Sequence, residues 1–194
     1  MDLRPEQHRA LDYARRKGSE SSVDSIRKRV TATFADLEAL LDSVRADEAS
    51  RSPAPSRWSV HQVVDHLVVT HRAAVEELRS LVAGVAPESG PIPASLVSDD
   101  PFATEWRELV ADLRIVHRDF VAVLHTATDA TPREVRAPVV MVVKCENADG
   151  LLEPVEWMDR FDWKAYAILF RAHTLEHAQQ IQRTLETVRA SGNR

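Results

Sequence analysis

Arg57-Trp58-Ser59-Val60-His61-Gln62-Val63-Val64-Asp65-His66-Leu67 opens the second of four long stretches that hold neither proline nor glycine. Ser59 offers an oxygen where a helix would otherwise leave its first amide donors bare, and Gln62, three residues on, completes a capping box. From there Val60, Val64, Leu67, Ala74, Leu78 and Leu81 recur at three- and four-residue spacing, which predicts a helix over about 59–83 with one buried stripe. The same projection puts His61 and Asp65 on the outer side, His71 near the stripe, and His66 on its flank beside Val63 and Thr70.

All ten prolines avoid three further stretches as well, and proline and glycine are the strongest breakers of regular structure. A helix is expected over about 22–48, capped by Ser21 or Ser22 and striped by Ile26, Val30, Phe34, Leu37, Leu41 and Val44. A third should span about 102–125, striped by Trp106, Leu109, Leu113, Val116, Phe120, Val123 and Leu124, and a fourth about 160–189. The segment 6–17 can form a helix of its own, ended by Gly18. Ala137-Pro138-Val139-Val140-Met141-Val142-Val143, followed by the turn signal Asn147-Ala148-Asp149-Gly150, reads as a small β-hairpin or extended arm within 137–157. Four helices of this length, each with one apolar stripe, are buried most economically in an all-α four-helix bundle. The 18-residue connection Gly84–Pro101 is long enough to cross the bundle between the second and third helices. The whole chain, 1–194, reads as one domain with residues 1–18 as an N-terminal extension.

The composition excludes several classes of function. With 194 residues, 44% hydrophobic and 28% charged, the chain can bury a core without disulfides, and its single cysteine could not form an internal one. That cysteine, Cys145, reads as a free loop thiol and not as a nucleophile. A reducing cytoplasmic setting is expected. A formal net charge of −5 leaves no excess of Lys and Arg for phosphates, so neither nucleic acid nor an anionic membrane is an expected partner. No apolar run approaches the roughly 20 residues of a membrane span, and no signal-like segment follows Met1. The expected partners are a small-molecule substrate and a second copy of the chain in a homodimer.

The fourth helix carries His173-Thr174-Leu175-Glu176-His177. Histidines four apart lie about 40° from each other around a helix and can share one metal. Tyr166, Phe170, Gln180 and Ile181 fall near that face, a mixture typical of a ligand-lined interior. A catalytic metal site takes a third protein ligand, and the second helix offers His61, His66 and His71 together with Asp65; periodicity prefers His66 or His71 and does not separate them. The sequence His173-x-x-Glu176-His177 also matches the inverted zincin pattern, in which the Glu is a general base. Those proteases draw a third, acidic ligand from far downstream, and 17 residues follow His177. Glu176 is better read as a surface carboxylate or as a group orienting a ligand ring.

The stretch from Trp58 to Leu67 resembles the second-helix signature of the DinB/YfiT-like superfamily: Trp, then Ser or Thr, two variable residues, an acid or amide, two aliphatics, one variable residue and His-Leu. His173 to Ile181 is similar to that superfamily's last-helix pattern, and the likeness spans about residues 20–190. Gln62 stands where many members carry Glu, and the N-terminal segment and residues 137–157 are additions. The resemblance implies a four-helix bundle with a crossover between its second and third helices. It also implies a divalent metal (Zn, Ni, Mn or Fe) held by His66, His173 and His177, and Trp58 packing at the entrance of the second helix. The activity it implies is that of a thiol S-transferase using bacillithiol or mycothiol as co-substrate. Three neutral imidazoles leave a metal its full charge and an open position, so bound water or a bound thiol would lose its proton easily. Metal-dependent hydrolysis is therefore the alternative chemistry, and a non-catalytic bundle or dimerisation module the alternative class.

Overall fold

Side-chain caps set where three of the long helices begin. In the computed structural model, which describes residues 3–147 and 149–192, the elements are α1 (Pro5–Glu20), α2 (Val23–Asp42), α3 (Ala46–Ala49), α4 (Val60–Val82), α5 (Trp106–Thr126), β1 (Ala137–Glu146), β2 (Leu152–Phe161) and α6 (Trp163–Gly192). The Ser22 hydroxyl accepts from the Ser25 amide at the start of α2. Ser59 and Gln62 form the expected reciprocal box at α4, with the Ser59 amide donating to Gln62 Oε1 at 2.9 Å and the Gln62 amide to Ser59 Oγ at 3.3 Å.

Helices α2, α4, α5 and α6 make the four-helix bundle, and their contacts fix its topology. Val60, Val64 and Leu67 at the start of α4 share a buried cluster with Trp106, Leu109 and Leu113 at the start of α5. Leu78 and Leu81 at the end of α4 cluster with Phe120 and Leu124 at the end of α5. The two helices therefore run parallel. Ile26, Val30 and Phe34 of α2 lie with Tyr166 and Phe170, whereas Leu37 and Leu41 lie with Ile181 and Leu185, so α2 and α6 are also parallel to each other and antiparallel to the first pair. Parallel neighbours cannot be joined by a tight turn. The chain between α4 and α5 must retrace the length of the bundle, as the Gly84–Pro101 spacing predicts.

Three helix limits differ from the periodic reading, each for a local reason. The first helix stops at Asp42 instead of reaching residue 48, because Val44 and Ala49 turn inward to join the cluster around Trp106, whose indole Nε1 donates to the Val44 carbonyl at 3.1 Å. Phe102 is held out of α5 by an Asx turn, in which its amide donates to Asp100 Oδ1 at 3.1 Å. Residues 160 and 161 belong to β2, and the last helix begins after Asp162, whose Oδ1 accepts from the amides of Lys164 and Ala165 at 3.0 and 3.1 Å. No described helix is long and apolar enough to cross a membrane.

The hairpin is longer than the 137–157 expectation, with ten residue pairs from Ala137–Phe161 to Glu146–Leu152. Its inner face (Met141, Phe161 and the half-buried Val139 and Trp157) docks on α1 and the first turns of α6. Cys145 is buried on β1, not in a loop. Gly18 does not end α1, which continues to Glu20. A Cβ there would sit 3.1 Å from both the Cβ and the amide nitrogen of Ala165, so the absent side chain lets α1 lie against α6.

Two outcomes test this packing. Gly18→Ala should gain up to ~1 kcal/mol of helix propensity and lose it again to the contact with Ala165. Gly18→Val adds methyls that cannot fit and should destabilise by ~1–3 kcal/mol, seen as a lower urea midpoint with faster hydrogen exchange in residues 5–20. The second concerns Glu48, bonded by Arg189 at 2.9 and 3.1 Å. The guanidinium lowers the Glu48 carboxyl from 4.5 to about 2. The pair's contribution is therefore complete above pH 4.5 and lost as pH falls through about 2. Glu48→Gln should lower Tm by roughly 1–2 °C near neutrality, and the gap from wild type should close in urea titrations run progressively from pH 5 to pH 2.5.

Candidate metal centre

Antiparallel packing of α4 on α6 brings His66 face to face with His173 and His177. The three rings offer ligand atoms that all lie within 4.8 Å of one another. His66 Nε2 is 3.1 Å, and His177 Nε2 3.0 Å, from His173 Nε2. His66 is buried and the other two are half-buried.

The outward nitrogens determine what the inward ones can do. His66 Nδ1 donates to the Leu96 carbonyl at 2.6 Å and His177 Nδ1 to Gln180 Oε1 at 2.9 Å, so both rings turn a bare Nε2 toward the centre. His173 Nε2, between them, has one proton at most and can satisfy only one of the two. A cation would satisfy all three, with the His173 proton then on Nδ1, 3.4 Å from His71 Nε2. Burial keeps the rings neutral: it lowers His66 to about 4, helped by the repulsion that a protonated His177 would exert, and drives His173 well below its ordinary range. The residues present therefore fit a metal.

The other candidates take different places. His61 and Asp65 are not on an outer face; both are buried under the α4–α5 connection. Ser98 of that connection donates to Asp65 through its amide (2.9 Å) and hydroxyl (2.7 Å), while the His61 ring lies against Phe102 and Trp106. His71 is fully buried behind His173 and touches the cluster through it. Glu176 is exposed and, among the described residues, orients none of the three rings; the Leu96 carbonyl, His71 and Gln180 do. Trp58 does more than pack: its ring is 5.2 Å from that of His66 and lines the site.

The cluster opens onto a cavity of about 570 Å³, within the size range of small-molecule sites. Ala10 and Tyr13 of α1, Ile92–Ser95 of the connection, Val139 and Met141 of β1, and Leu169 and Phe170 of α6 form its mostly apolar walls. At the end away from the histidines, Glu77 is buried, accepting from the Tyr166 hydroxyl at 2.6 Å and the Ser89 hydroxyl at 3.1 Å.

Comparison with known proteins identifies the family and the fold. Residues 29–181 match the DinB superfamily, and the chain belongs to it. The fold is similar to that of YfiT from Bacillus subtilis, described as a probable metal-dependent hydrolase with an unusual four-helix bundle topology. That likeness has a TM-score of 0.59 at 17% identity, over 88% of this chain and 87% of that one. TT2238, a four-helix bundle protein, is similar with a TM-score of 0.50 at 16% identity, over 83% of this chain and 98% of that one. No curated protein matches the sequence.

Metal affinity, measured by competition with a chelator on untagged protein, should separate the histidines. His173→Ala should abolish binding of zinc or nickel. His71→Leu, which removes the acceptor for His173 Nδ1, should weaken it about 10–100-fold, and His61→Ala should leave it within about twofold. Equal effects of His173→Ala and His61→Ala would place the site elsewhere.

Proposed function

We propose that this member of the DinB superfamily is a divalent-metal-dependent enzyme that transfers a low-molecular-weight thiol, such as bacillithiol or mycothiol, to an electrophilic, mostly apolar small molecule. The observation that carries this reading is the placement of the histidine cluster. Three neutral imidazoles held from two helices face a cavity with room for a co-substrate and an electrophile side by side. His66, His173 and His177 would hold the metal, and zinc or nickel suits an all-imidazole set. When bound, the metal supplies a lowered pKa to a thiol or water beside it.

The chain's own residues do the rest. The Leu96 carbonyl, His71 and Gln180 fix the ring orientations, Asp65 clamps the connection over the site through Ser98, and Trp58, Phe170 and Leu169 give the reacting region apolar walls. Catalysis here would rest on positioning in a shaped, mostly apolar cavity as much as on the metal. Metal-dependent hydrolysis is the second reading, and the description of YfiT, whose fold this chain shares, favours it.

Metal-loaded protein assayed on chlorodinitrobenzene and on simple esters, with and without bacillithiol, mycothiol or glutathione, discriminates between the readings. Turnover that requires a thiol and is lost in His66→Ala is the expected result. Ester cleavage without a thiol would replace transfer by hydrolysis, and inactivity of the metal-bound protein in every arm would favour a non-catalytic module.

A further inference from the structure

Most of the cavity is apolar, and its charged lining is of one sign. Glu77, Glu156 and Glu176 face it, and no lysine or arginine is among its described lining residues. Glu156 and Glu176 are exposed and hydrated. Glu77 differs: it is only 2% exposed, and its two bonds come from neutral hydroxyls, those of Tyr166 and Ser89. A carboxylate has about four acceptor positions; two are taken by these hydroxyls, and Glu77 lines the cavity. A buried carboxylate is costly unless a cation accompanies it, and burial accordingly pushes the Glu77 carboxyl up.

The position of Glu77 sets a length. It follows His66 by eleven residues on α4, and Tyr166 precedes His173 by seven on α6, so the carboxyl end lies roughly 10–16 Å from the histidine cluster at 1.5 Å per residue. Phe170, Leu169 and Val139 line the space between.

We propose that the Glu77–Tyr166–Ser89 end of the cavity is a subsite for a protonated amine. The substrate class that follows is an elongated apolar molecule with an ammonium group at one end and its reacting group at the other. An ammonium donates up to three hydrogen bonds, fills the remaining acceptor positions of Glu77 and neutralises the buried charge, while the methylene chain covers the apolar walls. At this end of the cavity a carboxylate group is disfavoured by the charge of Glu77. Naming the substrate rests on the reading of the histidine cluster as a catalytic centre; the subsite itself does not, and it is tested without metal.

The test is calorimetric titration of metal-free protein near pH 7.5 with n-octylamine, octan-1-ol, octanoate and N-octylacetamide, all below their aggregation limits. Octylamine should bind at least tenfold more tightly than the alcohol or the amide, and octanoate most weakly. Affinity should rise about fourfold per methylene from butylamine upward and level off when the chain reaches the histidines. Glu77→Gln should abolish the preference for the amine and leave octanol binding in place, whereas Glu176→Gln should preserve the preference. Equal binding of amine and alcohol by wild-type protein, or an amine preference that survives Glu77→Gln, would overturn the proposal; the wild-type comparison decides it even if Glu77→Gln does not fold. Loss of the subsite with thiol-dependent turnover intact would reject this inference alone. An intact amine preference in a metal-loaded protein without turnover would reject the activity alone.

Discussion

Three imidazole nitrogens that converge with at most one proton among them are the constraint around which this molecule is arranged. Each ring is fixed from behind by a different part of the chain: His66 by the Leu96 carbonyl of the long connection, His173 by His71 of α4, and His177 by Gln180 one turn further along α6. Each partner matters in a buried setting, because a ring that lost its outer bond could rotate and turn a protonated nitrogen inward. The topology follows the same need. α4 must lie against α6 in antiparallel register for residue 66 to meet 173 and 177, and the parallel run of α4 and α5 sends the connection back across the face where His66 requires its acceptor.

The bundle was readable because its signals are local. Ser59 with Gln62, Ser22, and apolar residues three and four apart specify helices without reference to anything distant, and the proline-rich spacing before residue 102 announced a crossover. What stayed hidden depends on contact between segments. His61 and Asp65 look solvent-facing on a helical projection, which cannot show that Ser98 and Phe102 return to cover them. Gly18 looks like a terminator because its function, the close approach of Ala165, lies in another helix. Asp162 is not legible as a cap because Arg160 and Phe161, the end of β2, read as the first turn of the last helix.

The site shows the same division. An i, i+4 histidine pair is visible in any sequence, but the choice between His66 and His71 is not, since both sit at the edge of one stripe. In the structure the two share the work, His66 at the centre and His71 behind it. A polar string continues inward from His71: its ring centroid lies 5.5 Å from that of His117, whose Nδ1 is 2.7 Å from Glu38 Oε1 and whose ring stacks on Phe34 at 3.8 Å. Burial lowers the pKa of both rings, against the pull of Glu38 in the case of His117. They are neutral near pH 7, which lets an otherwise apolar core hold them without buried charge.

Chemistry at such a centre is selected by its surroundings. Three neutral imidazoles would activate water and thiol alike, so the histidines alone favour neither. The selecting surfaces are the parts added to the four helices. α1 contributes Ala10 and Tyr13, the hairpin contributes Val139 and Met141, and the connection contributes Ile92 to Ser95. Each docks through a small number of specific contacts: Gly18 on Ala165, Met141 and Phe161 against Leu11 and Ala14, and Ser98 on Asp65. Loops and appended elements tolerate substitution better than a packed bundle, so these walls could be reshaped while the helices that hold the histidines stayed unchanged. Much of the apolar wall is therefore built by elements other than those that hold the histidines, whereas Glu77 joins the two: it stands on a bundle helix, and Ser89 of the connection bonds it.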